Sequence, residues 1–280
     1  MAKKVKVISA APHDRQKKYV LNEGTPIPPL VDMGVFTKEG NVAAPMQHKY
    51  RQINRYLEMI DDTLEGVSSL SVVDFGCGKS YLTFVVYYFL TVVKGIDTQM
   101  VGLDLKPDVI KNCQAVAEKY GYTGLRFMRG EIEDFKEKTD MVISLHACDT
   151  ATDYALYRAL KAEAKMIFAA PCCQHELKLQ MKNDEISLLT RHGVVKERVA
   201  ALITDSIRAN LVASQGYKTN LMEFVDLSHT PKNLLIRAVK TKMPAKARDM
   251  YMREVEALCK SFNLSPLLLR LLTNASAEHR

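Results

Sequence analysis

From Gly66 onward the chain alternates short apolar runs with helical patterns, and this alternation limits the folds open to it more than any other feature. Strands are predicted at Ser71–Phe75, Met100–Leu105, Leu125–Arg129, Met141–Leu145, Met166–Ala170, Lys218–Val225 and Leu234–Val239. Between the first five lie helical patterns at Lys79–Val93, Pro107–Tyr120 and Thr150–Glu163, with a short turn near Glu133. Strands separated by helices call for a parallel sheet covered on both faces. The last two strands are joined only by Asp226 to Asn233, too short for a crossover helix, and should be antiparallel neighbours. The expected fold is α/β: a Rossmann-like sheet of seven strands with an N-terminal arm and C-terminal helices.

Three regions follow. Residues 1–65 read as a basic arm and a helix, 66–240 as the sheet domain, and 241–280 as a helical tail. Prolines and glycines break the stretch from Pro12 to Pro45 into turns. From Met46 to Leu64, Ile53, Tyr56, Leu57 and Ile60 recur at helical spacing. In the tail, Ser265-Pro266 is a helix-start signal ahead of Leu267, Leu268, Leu271 and Leu272. Arg198–Ile203 and Arg208–Leu211 read as a core helix carrying exposed charges, and His229–Asn233 as a turn.

With 47% apolar and 25% charged residues the chain has the material for a packed core. The longest apolar stretch, Tyr81 to Val93, is too short to cross a bilayer, and the basic N-terminus lacks a secretion signal. A soluble cytoplasmic protein is expected. The six cysteines, Cys77, Cys113, Cys148, Cys172, Cys173 and Cys259, form no regular framework. The adjacent Cys172 and Cys173 have no second pair at zinc-site spacing, so no metal site is expected. The net charge is +7 and concentrates before residue 56 and between Arg237 and Arg248. Such patches suit a polyanion such as RNA, although a solvated surface would look the same.

The chemistry-bearing segment is Val72-Val73-Asp74-Phe75-Gly76-Cys77-Gly78-Lys79-Ser80, an apolar strand running into a glycine loop and a helix. Gly76 and Gly78 allow a sharp turn and close approach of a ligand, although an ordinary turn needs no more. Tyr81 stands where a dinucleotide fingerprint would carry its third glycine, which argues against a nicotinamide-dependent dehydrogenase. Asp104 ends the next strand, where a carboxylate can accept hydrogen bonds from both hydroxyls of a ribose.

The DFGCGKS segment resembles motif I of class I S-adenosylmethionine-dependent methyltransferases. The resemblance implies that Asp74, Gly76 and Gly78 contact S-adenosylmethionine and that Asp104 binds its ribose. It also implies adenine contacts from Glu131 and Ile132. Two further segments, HACDTATD from His146 and PCCQHE from Pro171, resemble the group that includes the eukaryotic tRNA acceptor-stem 2′-O-methyltransferases. That resemblance covers about Lys49 to Val239. Asp149 stands where the eukaryotic family has a glycine and Gln174 where it has a histidine. The family's zinc-binding N-terminal region has no counterpart.

Both segments leave the carboxyl ends of strands, where a parallel sheet binds its ligands. His146, Asp149, Thr152, Cys172 and His175 are therefore the candidates for chemistry beside the methyl group, with His146 also a cofactor contact. For a hydroxyl nucleophile, His146 or His175 would accept the proton and Asp149 would orient the histidine. Asp153 is expected to stabilise the start of the following helix. An attack by Cys172 on a cytosine ring, as in cytosine-5 methyltransferases, is an alternative. A catalytically silent RNA-binding protein is another, against which the intact Asp74, Gly76, Gly78 and Asp104 weigh. The expected partner is RNA.

Overall fold

The strand order in the sheet reverses direction beside β1, and that reversal creates the crevice on which the rest of the molecule depends. In the computed structural model, which describes residues 19–145, 147–182, 186–223 and 234–277, seven strands make one sheet. They are β1 (Ser69–Phe75), β2 (Asp97–Asp104), β3 (Leu125–Arg129), β4 (Met141–Ser144), β5 (Met166–Ala169), β6 (Tyr217–Glu223) and β7 (Leu234–Lys240). Their order is β3-β2-β1-β4-β5-β7-β6. The first five are parallel, and β7 lies antiparallel between β5 and β6. The chain winds outward from β1 through β2 to β3, then returns to β4 on the other side of β1. The carboxyl ends of β1 and β4 therefore diverge into the crevice where open α/β sheets bind ligands.

The helices are α1 (Pro28–Asp32), α2 (Gln47–Asp61), α3 (Tyr81–Tyr88), α4 (Pro107–Lys119), α5 (Thr150–Lys161), α6 (His175–Gln180), α7 (Ser187–Thr190), α8 (Gly193–Ser214), α9 (Ala245–Phe262) and α10 (Leu267–Ala277). Alternation along each strand divides the core in two. Val72, Met100, Met141 and Phe168 pack against α2, α3 and α4, whereas Val73, Val101, Val142 and Ile167 pack against α5, α8 and α9. The central strands are buried on both faces, which is why they read as continuous apolar runs rather than alternating ones. β3 and β6, at the two edges of the sheet, show the exposure expected of half-covered strands.

The N-terminal arm packs on the same core. Leu21, Ile27, Leu30, Val35 and Phe36 are buried with Tyr50, Ile53, Tyr56, Leu57 and Ile60 of α2. Burial of each such side chain contributes about 1.5–3 kcal/mol against its exposure to water. Asp32 at the end of α1 ties the arm to α4, accepting from Lys119 Nζ and the Tyr120 hydroxyl at 2.6 Å each. The expected helix from Lys79 starts two residues later, because Gly78 and Ser80 are left-handed at φ 53° and 57°. Its last stretch, Phe89–Val93, is wound as a π-helix.

None of the described helices is long and apolar enough to cross a membrane. His146 and the expected turn His229–Asn233 lie outside the described residues.

Candidate active site

The loop after β1 is pinned at both ends by backbone groups. Gly76 and Cys77 donate their N–H groups to the Leu103 carbonyl of β2 at 2.9 and 3.1 Å. Gly76 takes φ 69°, which a side chain would oppose. Gly78 donates its N–H to Asp104 Oδ2 at 2.9 Å, and Lys106 donates to Oδ1 at 3.0 Å. Each carboxylate oxygen has two lone pairs, so Asp104 is anchored by the loop and still able to accept from a diol.

A cavity of about 370 Å³ opens beside this loop. Gly76, Leu103, Asp104, Lys106, Glu131, Ile132 and Glu133 form one side, and Ala147, Cys148, Ala151 and Tyr154 the other. The structure thus brings together Gly76, Asp104, Glu131 and Ile132 from the expected cofactor set. Gly78 holds Asp104 from behind. Tyr154 and Lys106 were not singled out from sequence. Tyr154 had a signal, since Ala151 and Tyr154 share the face of α5 one turn apart.

Asp74 does not line the cavity. It is 5% exposed and accepts from the Thr83 hydroxyl at 2.6 Å. Burial, opposed by the Thr83 bond and reinforced by Asp104, pushes its carboxyl up to about 7. Its role in this structure is to join β1 to α3 beneath the loop. The cavity carries Asp104, Glu131 and Glu133 against one lysine. Such a lining repels a pyrophosphate and suits a ligand with cationic sulfonium and ammonium groups and a ribose diol.

The loops leaving β4 and β5 meet over a buried charge cluster that corrects the expectation for Arg208. Arg208 of α8 is not an exposed charge but is 2% exposed. Its Nε and Nη2 donate to the two oxygens of Asp153 at 3.0 and 2.6 Å, and Nη2 also donates to the Asp149 carbonyl at 2.8 Å. Asp153 stands in the first turn of α5, as expected, and is at the same time the buried ion-pair partner of Arg208. Asp205 completes the cluster, accepting from Arg208 at 3.3 Å and from Gln174 Nε2 at 3.0 Å. Burial, opposed by Arg208, pushes Asp205 up to about 6.

Asp149, expected to orient a histidine, accepts through Oδ1 from the Glu176 backbone N–H at 3.2 Å. It thereby caps the first turn of α6 and links the two loops. Its backbone sits at φ 52° and ψ −121°, a region that favours glycine. Thr152 is buried and bonds the Ala147 carbonyl at 2.7 Å, so it shapes the loop from within. His175 is the exposed first residue of α6.

Cys148, far away in sequence, joins the pair at Cys172 and Cys173: the Cys148 and Cys172 sulfurs are 2.8 Å apart and those of Cys172 and Cys173 3.7 Å. Spacing along the chain concealed this, because the third thiol arrives from the neighbouring parallel strand. Burial and the flanking thiols push the Cys172 thiol up to about 12. A second cavity, about 330 Å³, lies between α1, α3 and α4 and is lined by Asp32, Tyr81 and Tyr120 among others.

The seven-stranded sheet, with the glycine loop at its switch point and the acid closing β2, has a Rossmann-like α/β arrangement. Residues 48–180 match the family described as a methyltransferase domain. The chain is 21% identical over 232 residues to a glutathione S-transferase C-terminal domain-containing protein of Bos taurus, covering 73% of this chain and 35% of that protein. It thus spans about a third of the length of that curated relative. Among solved structures it is similar to the 23S rRNA methyltransferase ErmE, at TM-score 0.44 and 14% identity over 74% of this chain and 77% of that one. It is also similar to magnesium protoporphyrin IX methyltransferase from Synechocystis PCC 6803 with bound SAH, at TM-score 0.40 and 15% identity over 72% and 90% of the two chains.

Proposed function

We propose that the protein methylates RNA, a tRNA or rRNA, at a ribose hydroxyl or a base nitrogen. One observation carries the substrate class. Lys49, exposed on α2 as are Arg51 and Arg55, places its Nζ 5.6 Å from the centroid of the Tyr81 ring. Tyr81 is 46% exposed and begins α3 directly after the glycine loop. A cation beside an exposed aromatic ring just after the glycine loop matches the way single-stranded nucleic acid is gripped, by phosphate neutralisation together with base stacking.

The cofactor supplies an electrophilic methyl group on a sulfonium. In this reading Gly76 admits its methionine portion, Asp104 accepts from its ribose, and Glu131 and Ile132 flank its adenine. His146 or His175 takes the proton of a hydroxyl nucleophile, and the Asp149 tether sets where His175 stands. Cys172 is a poor choice of nucleophile, because a thiol pushed up to about 12 holds its proton at neutral pH.

The test is radiolabelled methyl transfer from S-adenosylmethionine to total RNA, DNA and protein, followed by nucleoside mass spectrometry of the labelled fraction. Label in RNA, released as a ribose-methylated or nitrogen-methylated nucleoside, is expected. Label confined to protein or DNA removes the RNA reading.

A further inference from the structure

We propose that Cys148, Cys172 and Cys173 form a thiolate site for a soft divalent cation, zinc, at the rim of the cofactor cavity. The sheet builds the site. Ser144 and Ala169, the last residues of β4 and β5, are partners in parallel register, so the loops that follow leave the sheet side by side. All three Sγ atoms lie within 4.8 Å of one another. Zinc takes thiolates at about 2.3 Å in tetrahedral geometry, which sets neighbouring sulfurs roughly 3.8 Å apart. Cys172 and Cys173 already stand at 3.7 Å. Cys148 must draw back by about an ångström on the same geometry, and its exposed position permits that.

The flanks of the site are fixed independently. Arg208 holds the Asp149 carbonyl next to Cys148, and Asp205 holds the Gln174 side chain next to Cys173. The Asp149 carboxylate then bridges to the Glu176 N–H, so the two loops are locked to each other rather than to solvent. Preorganisation of this kind separates a metal site from a chance meeting of thiols. Thiolate sets select soft ions such as zinc over magnesium or calcium. Each cysteine that ligates gives its proton to solvent, and three thiolates leave one tetrahedral position for water or a substrate atom. Cys148 also lines the cofactor cavity, which puts the cluster at the rim of that cavity. The inference is independent of the RNA reading.

The experiment uses full-length protein, stripped of metal and kept reduced with a phosphine, and titrated with Co²⁺ as the spectroscopic probe. One equivalent should give a thiolate-to-cobalt charge-transfer band and tetrahedral ligand-field bands, and Zn²⁺ should abolish both. Cys172→Ser and Cys148→Ser should each weaken Co²⁺ binding by about tenfold or more, whereas Cys259→Ser, away from the cluster, should leave it unchanged. Calorimetry with S-adenosylhomocysteine on each variant checks that the fold and cofactor site stand. Absence of the band in protein that binds S-adenosylhomocysteine overturns the proposal. So does a band that survives both serine substitutions, or a cluster found only as a Cys148–Cys172 disulfide that takes up no metal.

Discussion

Arg208 and Asp153, 55 residues apart in sequence, meet in the core through two near-parallel hydrogen bonds, from Nε at 3.0 Å and Nη2 at 2.6 Å. The same guanidinium holds the Asp149 carbonyl and the Asp205 carboxylate, so one side chain on α8 fixes the loops that flank the cofactor cavity. Breaking a buried pair leaves an uncompensated charge, at a cost of about 3–5 kcal/mol. Arg208→Met should lower stability by that amount in denaturant unfolding. The double variant Arg208→Met with Asp153→Asn should lose clearly less than the sum of the single losses, because the two share one interaction. Additive losses would show that the pair is energetically idle.

Asp104 anchors the glycine loop and offers its remaining lone pairs to the cavity. Asp104→Ala should weaken S-adenosylhomocysteine binding by about 1–3 kcal/mol, the scale of hydrogen bonds to a charged group. Gly76→Val should do more damage, since a branched side chain at a positive φ both strains the turn and fills the cavity. Calorimetry reads both, and normal affinity in a folded Gly76→Val protein would remove the loop from the site.

Asp74 makes stability depend on pH. Its folded pKa, about 7, lies above the ordinary carboxylate value near 4. Between those values the native state binds more protons than the unfolded chain, so stability falls as pH rises from about 4 to about 7 and levels off above that. Asp74→Asn, which keeps a partner for the Thr83 hydroxyl, should flatten that part of the profile. Melting temperatures of both proteins across this range decide it, and identical slopes would place the proton elsewhere.

Asp149 carries both a backbone strain and a tether. Asp149→Ala keeps the positive φ and loses the bond to the Glu176 N–H, a cap typically worth about 1 kcal/mol. Asp149→Gly loses the same bond but relieves the strain, and should be the more stable of the two. Both should lose most of the methyl transfer, because α6 and the cysteine loop are released together. An alanine variant more stable than the glycine variant would mean that the conformation costs nothing.

Lys49, Arg51 and Arg55 provide the physical support for an RNA substrate. Neutralising all three should weaken RNA binding and reduce its salt slope by about one unit per lost phosphate contact. S-adenosylhomocysteine affinity should barely change. An unaltered salt slope would reduce this face to a solvated surface.

The sheet was legible because its central strands, buried on both faces, read as apolar runs; the predicted Leu125–Arg129 also coincides with the edge strand β3, and the other strands differ by a few residues at their ends. The glycine loop and Asp104 were legible because positive φ and strand-end carboxylates leave residue-type signatures. Arg208 was not. Helical periodicity assigns an arginine to the wet face unless its partners are known, and Asp153 and Asp149 come from another helix and loop. Cys148 escaped for the same reason, since parallel neighbours meet only across a crossover.

The insertion of β7 between β5 and β6 has a consequence for synthesis on the ribosome. β5 lends its outer edge to β7 alone, and β7 begins at Leu234. Until that residue has emerged, the backbone of Met166–Ala169 is an open template of unpaired N–H and C=O groups flanked by wholly apolar side chains. The nascent chain therefore passes through a long interval in which it is most prone to pair with the wrong strand, and the closing hairpin acts as a latch that ends this exposure.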